Sequence, residues 1–152
     1  MIVTWGKNQV MKTNYQQLTE LINKLFIYTD ELQWEKLLTE VFSEKLWFDM
    51  TSLGGEASEV TAKSITEMWD TAFKEIDSIN HLGGNYLIKI EGGQATVFAY
   101  ATATHYKESA TNGKTREFVG TYDIKAYNTS KGWRINSFTY NLKYMTGNLD
   151  LS

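Results

Sequence analysis

An α+β domain, with helices first and a curved antiparallel sheet packed against them, is predicted by three features of the sequence. Apolar residues recur at helical spacing through the first half of the chain. After Asp77 the period changes to two, the mark of extended strands. Turn signals at Gly92-Gly93, Asn112-Gly113 and Ser130-Lys131-Gly132 then divide the second half into four strands, Asn-Gly being the strongest short hairpin signal. Helices followed by a run of strands is the α+β order. The 152 residues fit one domain, 1–152, with a possible mobile arm or short added strand over 1–12.

The first helix begins near Tyr15, where Tyr15, Leu18, Ile22, Leu25 and Thr29 share one stripe reinforced by Leu21 and Tyr28. Thr13 with Gln16 three residues on forms a capping-box signature at its start. A second helix is predicted from the stripe Trp34, Leu37, Leu38 and Val41, with Glu31 in its first turn. The segment 45–51, KLWFDMT, has strand character and runs into the loop Ser52-Leu53-Gly54-Gly55. A third helix is predicted from about Thr61 to Ile76, with Ile65, Met68, Trp69 and Ala72 inward. Strands follow near 79–91, 94–109, 115–128 and 132–145. Gly83-Gly84 interrupts the alternation of the first of these, as a bulge or bend would.

Composition removes several classes of function. A net charge of −3 without a basic run argues against nucleic acid or an anionic membrane as partner. The absence of cysteine excludes disulfides, thiolate nucleophiles and cysteine metal sites. No apolar run approaches the length of a membrane span, and MIVTWGKNQVMKTN lacks the apolar core of a signal peptide, so a cytoplasmic protein is expected. No nucleophile motif, phosphate loop, or HxH or HxxxH spacing occurs, so neither metal nor cofactor is expected.

The strand 94–109 offers two choices for which face of the sheet is inside. Ala95, Val97, Ala99, Ala101, Ala103 and His105 alternate with Thr96, Phe98, Tyr100, Thr102, Thr104 and Tyr106. Placing the bulky set against the helices would leave the alanines to water; placing the small set inward, the favoured assignment, leaves room for a cavity and puts His105 on its wall. It also puts Phe98, Tyr100 and Tyr106 on the outer face, an apolar cluster that predicts a homodimer. In the next strand Phe118, Gly120, Tyr122, Ile124 and Ala126 form the matching inward set.

The only two histidines lie on neighbouring strands, and folding the hairpin about Gly92-Gly93 brings position 81 roughly opposite 105. Two groups that titrate near neutral pH, side by side, suggest proton transfer. Each also has a plainer reading: His105 as a strand-end residue bonded to a carbonyl, His81 as a surface residue. Asp30, directly before the second helix, fits either an N-cap or a carboxylate that orients a histidine. Asp49 fits a polar strand end or a site acid.

With these elements placed, the chain resembles the nuclear-transport-factor-2-like superfamily, and within it the SnoaL-like group that includes the scytalone dehydratases. The resemblance rests on YTDELQWEKLLTEVF, on LWFDM, on HLGGNYLIKIEGGQATVFAYATATHY and on GTYDIKAYNTSKGWRINSFTYNLKYMTGN, and covers about Tyr15 to Asn148. It implies a cone-shaped, cystatin-like barrel with one open end. It also implies a lyase or isomerase of dehydratase type, acting on a small apolar or cyclic molecule. His105, supported by Asp30, stands where such enzymes hold the general base and acid, with His81 beside them. Thr29 and Met50 replace two water-holding tyrosines of those enzymes, and Gly120 and Tyr122 replace a pocket serine and asparagine. The residues expected around the substrate are Tyr28, Trp34, Asp49, Met50, Trp69, Phe118 and Tyr122. A non-catalytic module holding a hydrophobic ligand in the same cone is the alternative.

Overall fold

A computed structural model describes residues 11–152. The expectation of an arm over 1–12 lies outside the described residues apart from Met11 and Lys12. Helix α1 spans Asn14–Asp30 and opens on the anticipated capping box. The Gln16 backbone N–H donates to Thr13 Oγ1 at 3.2 Å, and the Thr13 N–H donates to Gln16 Oε1 at 2.9 Å. These two bonds satisfy donors that a helix start leaves free. The helix buries Leu18, Leu21, Ile22, Leu25, Phe26 and Thr29 along one stripe.

The second helix differs from expectation. A single α turn, α2 (Trp34–Lys36), runs into five residues of π-helix, Leu37–Val41. The wider turn still buries both Leu37 and Val41. Asp30 caps nothing there: it is the last residue of α1, and the α2 N-cap position is Gln33, without a side-chain bond. Strand β1 covers Phe42–Asp49. It pairs with a short strand absent from the sequence reading, β2 (Ala57–Thr61). Helix α3 is Ala62–Phe73, capped by Thr61, whose hydroxyl accepts from the Ser64 N–H.

The long meander is β3 (Ser78–Glu91), β4 (Gln94–Tyr106), β5 (Thr115–Thr129) and β6 (Gly132–Gly147). One six-stranded sheet results, in the order β2-β1-β6-β5-β4-β3, curved and left unclosed. It is antiparallel except where β1 runs parallel to β6, a departure from the purely antiparallel expectation.

The small residues of β4 do face inward: Ala95, Val97, Ala99, Ala101, Ala103 and His105 are all buried. Short side chains let α1 lie close to the sheet, so Leu18, Ile22 and Leu25 join Ala95, Val97, Ala99 and Ala101 in one core. On the outer face Phe98 and Tyr100 pack edge to face at 5.6 Å, with Lys143 Nζ 4.8 Å above the Tyr100 ring. Tyr106 bonds to Glu108. Leu82 and Leu87 on β3 are 76% and 72% exposed.

A bulge in β3 sets the site. Near the turn, Ile88 pairs with Val97 and Ile90 with Ala95, so the even-numbered residues of β3 face inward. The register shifts between Gly84 and Leu87, where Asn85 takes a φ of 55°. Beyond it Gly83 pairs with Ala101 and His81 with Ala103, and the odd-numbered residues face inward. A strand slipped by one residue exchanges its faces. Without the bulge His81 would point outward.

Candidate active site

Between the inner face of the sheet, α1, α3 and the β1–β2 connection lies a cavity of about 640 Å³. This is within the range of small-molecule sites, roughly 300–1,000 Å³. Aromatic and aliphatic side chains dominate its wall, among them Phe26, Phe48, Trp69, Phe73, Phe118 and Phe138. Exposed Leu53, Glu56, Ser64 and Met68 belong to the same lining and mark its solvent side.

Helix α1 holds His81 by two residues one turn apart. Asp30 Oδ2 accepts the His81 backbone N–H at 2.9 Å, and Asp30 Oδ1 lies 2.5 Å from His81 Nδ1. Phe26, four residues earlier on the same helix face, stacks on the imidazole with centroids 5.4 Å apart and planes 7° apart. A carboxylate only accepts, so the proton of a neutral His81 sits on Nδ1 and its lone pair on Nε2.

Gly83 gives the Phe26 ring its place, since a Cβ there would lie 2.4 Å from Phe26 Cε2. Gly83→Ala is therefore expected to destabilise the fold by about 1–3 kcal/mol, as overpacking of a core does. Denaturant unfolding measures this, and an unchanged midpoint would show that the ring is not wedged there.

The two histidines are not directly opposite, as the turn count had suggested. His105 pairs with Ile79 and His81 with Ala103, making them diagonal neighbours on one face. Asp30 meets His81 and not His105, which corrects the expectation that it orients His105. His105, 6% exposed, has Arg116 as its partner, whose Nε donates to His105 Nδ1 at 3.1 Å. An arginine only donates, so the His105 proton lies on Nε2. Burial chiefly, then the Arg116 charge and His81, holds its pKa from the ordinary 6.5 down to about 4. With Nδ1 occupied and Nε2 protonated, a neutral His105 is a hydrogen-bond donor, a different role from the general base expected of it. Phe73 and Phe118 flank the ring, at 5.4 and 5.1 Å.

Of the other expected residues, Met50, Trp69, Phe118 and Tyr122 line the cavity. Tyr28, Trp34 and Asp49 are not among its lining. Tyr28 donates to Glu40, itself paired with Lys24. Trp34 Nε1 donates to Asp70. Asp49 accepts from the Thr51 amide and hydroxyl as a strand end.

Arg116 and Tyr140 were missed, though the alternation Arg116, Phe118, Gly120, Tyr122 carries the signal for the first. Tyr122 and Tyr140 lie with ring centroids 4.9 Å apart. Neither hydroxyl has a protein partner among the described residues, where no fully buried side-chain polar atom lacks one, so both open onto the cavity. Burial raises the Tyr140 pKa to about 12 and that of Tyr122 well above its ordinary value, so both remain O–H donors. Gly120 is tied to this pair, because a Cβ there would lie 2.5 Å from the Tyr140 hydroxyl.

A half-open α+β cone around an apolar cavity, with an aspartate–histidine pair on its wall, is the architecture of a small-molecule site. The SnoaL-like domain matches residues 13–139, and the chain belongs to that family. No curated protein matches it. Among solved structures, the Kfla4162 protein of Kribbella flavida is similar at 23% identity, covering 91% of this chain and 95% of its own, with a TM-score of 0.85. A candidate scytalone dehydratase from Novosphingobium aromaticivorans shares 12% identity over 88% of this chain and 87% of its own, at TM-score 0.75. The hexachlorocyclohexane dehydrochlorinase LinA-type3 of Novosphingobium barchaimii shares 10% over 87% and 88%, at 0.70. At such identities the likeness is one of fold. No described helix is long and apolar enough to cross a membrane.

Proposed function

We propose that the chain is a lyase or isomerase of dehydratase type, acting on a small, largely apolar, cyclic molecule that carries a carbonyl or hydroxyl group. The observation that carries this reading is the Asp30–His81 pair, bonded at 2.5 Å on the wall of an apolar cavity. His81 Nε2 takes a proton from the carbon beside a carbonyl, and Asp30 stabilises the imidazolium that forms. Tyr122 and Tyr140 donate to the carbonyl oxygen as charge develops on it. The electron pair left on carbon forms a C=C bond as the β-hydroxyl departs, and the imidazolium returns its proton to that hydroxyl, releasing water. The similarity to a dehydratase and a dehydrochlorinase, both named for eliminations, supports the same class.

A panel of small cyclic β-hydroxy ketones, followed by the absorbance of the conjugated product, tests the reading. Turnover of one member by the wild-type chain, lost in His81→Asn, is the expected result. Saturable binding of panel members without turnover or solvent deuterium exchange would instead mark a hydrophobic binding module. The outer face of the sheet, with Phe98, Tyr100 and Tyr106 and the exposed Leu87 beside them, is proposed as a homodimer contact. Light scattering should give twice the 17.4 kDa chain mass, and a monomer would remove that assignment.

A further inference from the structure

The cavity has a second polar end that elimination at His81 leaves unused. Arg116 stands directly across from His105 on β5 and lines the same cavity. Its guanidinium is fixed on three sides. Nε donates to His105 at 3.1 Å, Nη1 donates to the Leu149 carbonyl at 2.9 Å, and the group lies 5.4 Å over the Phe118 ring. Nη2 has no protein partner, and no carboxylate lies within ion-pair distance of Arg116 among the described residues. Residues 1–10 contain no aspartate or glutamate to supply one. By contrast, the half-buried Lys24 elsewhere on the chain is paired with Glu40. Partly buried charges are commonly paired, as Lys24 is, and this one lines a largely apolar cavity without a carboxylate partner among the described residues.

The neighbouring histidine adds to the same polarity. Because Nδ1 of His105 accepts from Arg116, its remaining N–H is on Nε2, which has no protein partner. No fully buried side-chain nitrogen among the described residues lacks a partner, so this N–H opens onto the cavity. The free N–H groups of a fixed guanidinium and one N–H of a neutral imidazole therefore belong to paired residues of one cavity wall, without a protein acceptor among the described residues.

The geometry points to Arg116 and His105 as a carboxylate subsite, so that the molecule converted at His81 carries a carboxylate at the end remote from the reacting carbon. This rests on the elimination reading only for what happens at His81. The subsite itself is a matter of binding. Strand spacings put the Cα atoms of His81 and Arg116 about 12 Å apart, a span that a molecule of one or two rings bridges between their side chains. A planar guanidinium with a second donor beside it matches the two oxygens of a carboxylate better than one hydroxyl.

The test uses unreactive ligands, so it does not depend on turnover. Isothermal titration of the full chain with 2-naphthoate and with 2-naphthamide compares the same ring with and without the charge. The wild type should bind the carboxylate at least about tenfold more tightly, the equivalent of about 1.4 kcal/mol. Arg116→Gln should erase the preference while keeping affinity for the amide, and Arg116→Lys should keep part of it. Amide binding by the variants also reports that the cavity has folded. His81→Asn should leave the preference intact, which separates this subsite from the catalytic reading. Equal affinities in the wild type, no saturable binding of the carboxylate, or a preference that survives in Arg116→Gln would overturn the assignment.

Discussion

Exchanging His81 for asparagine is expected to lower turnover by roughly 10²–10⁴-fold, the range typical of a lost general base. Asparagine is chosen because its amide can still donate to Asp30, where Nδ1 now lies at 2.5 Å, while nothing replaces the lone pair of Nε2. The loss should fall on the chemical step, with binding of an unreactive ligand and the unfolding midpoint close to wild type. Asp30→Asn reaches a similar loss by another route. The amide oxygen can keep the bond from the His81 backbone N–H, but the amide NH₂ then faces Nδ1 and forces it to accept. The proton moves to Nε2, and the ring presents a donor where a base is needed, as when the carboxylate of a catalytic triad is amidated. Activity retained within a few-fold in either variant would place the base elsewhere.

The second large effect concerns stability and pH. His105 has a folded-state pKa of about 4 against an ordinary 6.5. Between these values the unfolded chain binds a proton that the folded chain refuses, so stability rises with pH across the window. It is lost as pH falls from about 6.5 to about 4, and below that both states are protonated. A shift of this size corresponds to about 3 kcal/mol. His105→Asn removes the titration and can keep an acceptor for Arg116. The free-energy difference between wild type and variant, from urea unfolding at about pH 7 and about pH 4, should therefore narrow toward acid by about that amount. Parallel pH profiles would show that His105 titrates normally in the fold.

The local order of the chain is written locally. Thr13 and Gln16 start α1, glycine and asparagine turns cut the meander, and the alternation of alanines in β4 sets its inner face. Each depends on neighbours within a few residues, which the sequence lists side by side. The same alternation places Arg116 in line with Phe118 and Tyr122, so even a residue that was passed over was legible. Strand β2 was not, because residues 57–61 are short and only half-buried at an edge.

Two decisions belonged to the tertiary structure. The first is the one-residue bulge between Gly84 and Leu87, which turns His81 inward. Gly83-Gly84 hinted at irregularity, but whether a bulge shifts register depends on how β3 settles against β4 and α1. The second is the partner of Asp30. His81 lies 51 residues away from it in sequence, and either histidine satisfies the pattern of an aspartate and two imidazoles. What separates them is the path of α1 over β3, which seats Phe26 in the space above Gly83 and brings Asp30 one turn later onto His81. His105 is left to Arg116, and the pair of like residues in the sequence becomes an acceptor and a donor. The sequence determined which residues could meet; packing decided which did, because a hydrogen bond is chosen over distances that only the folded core sets.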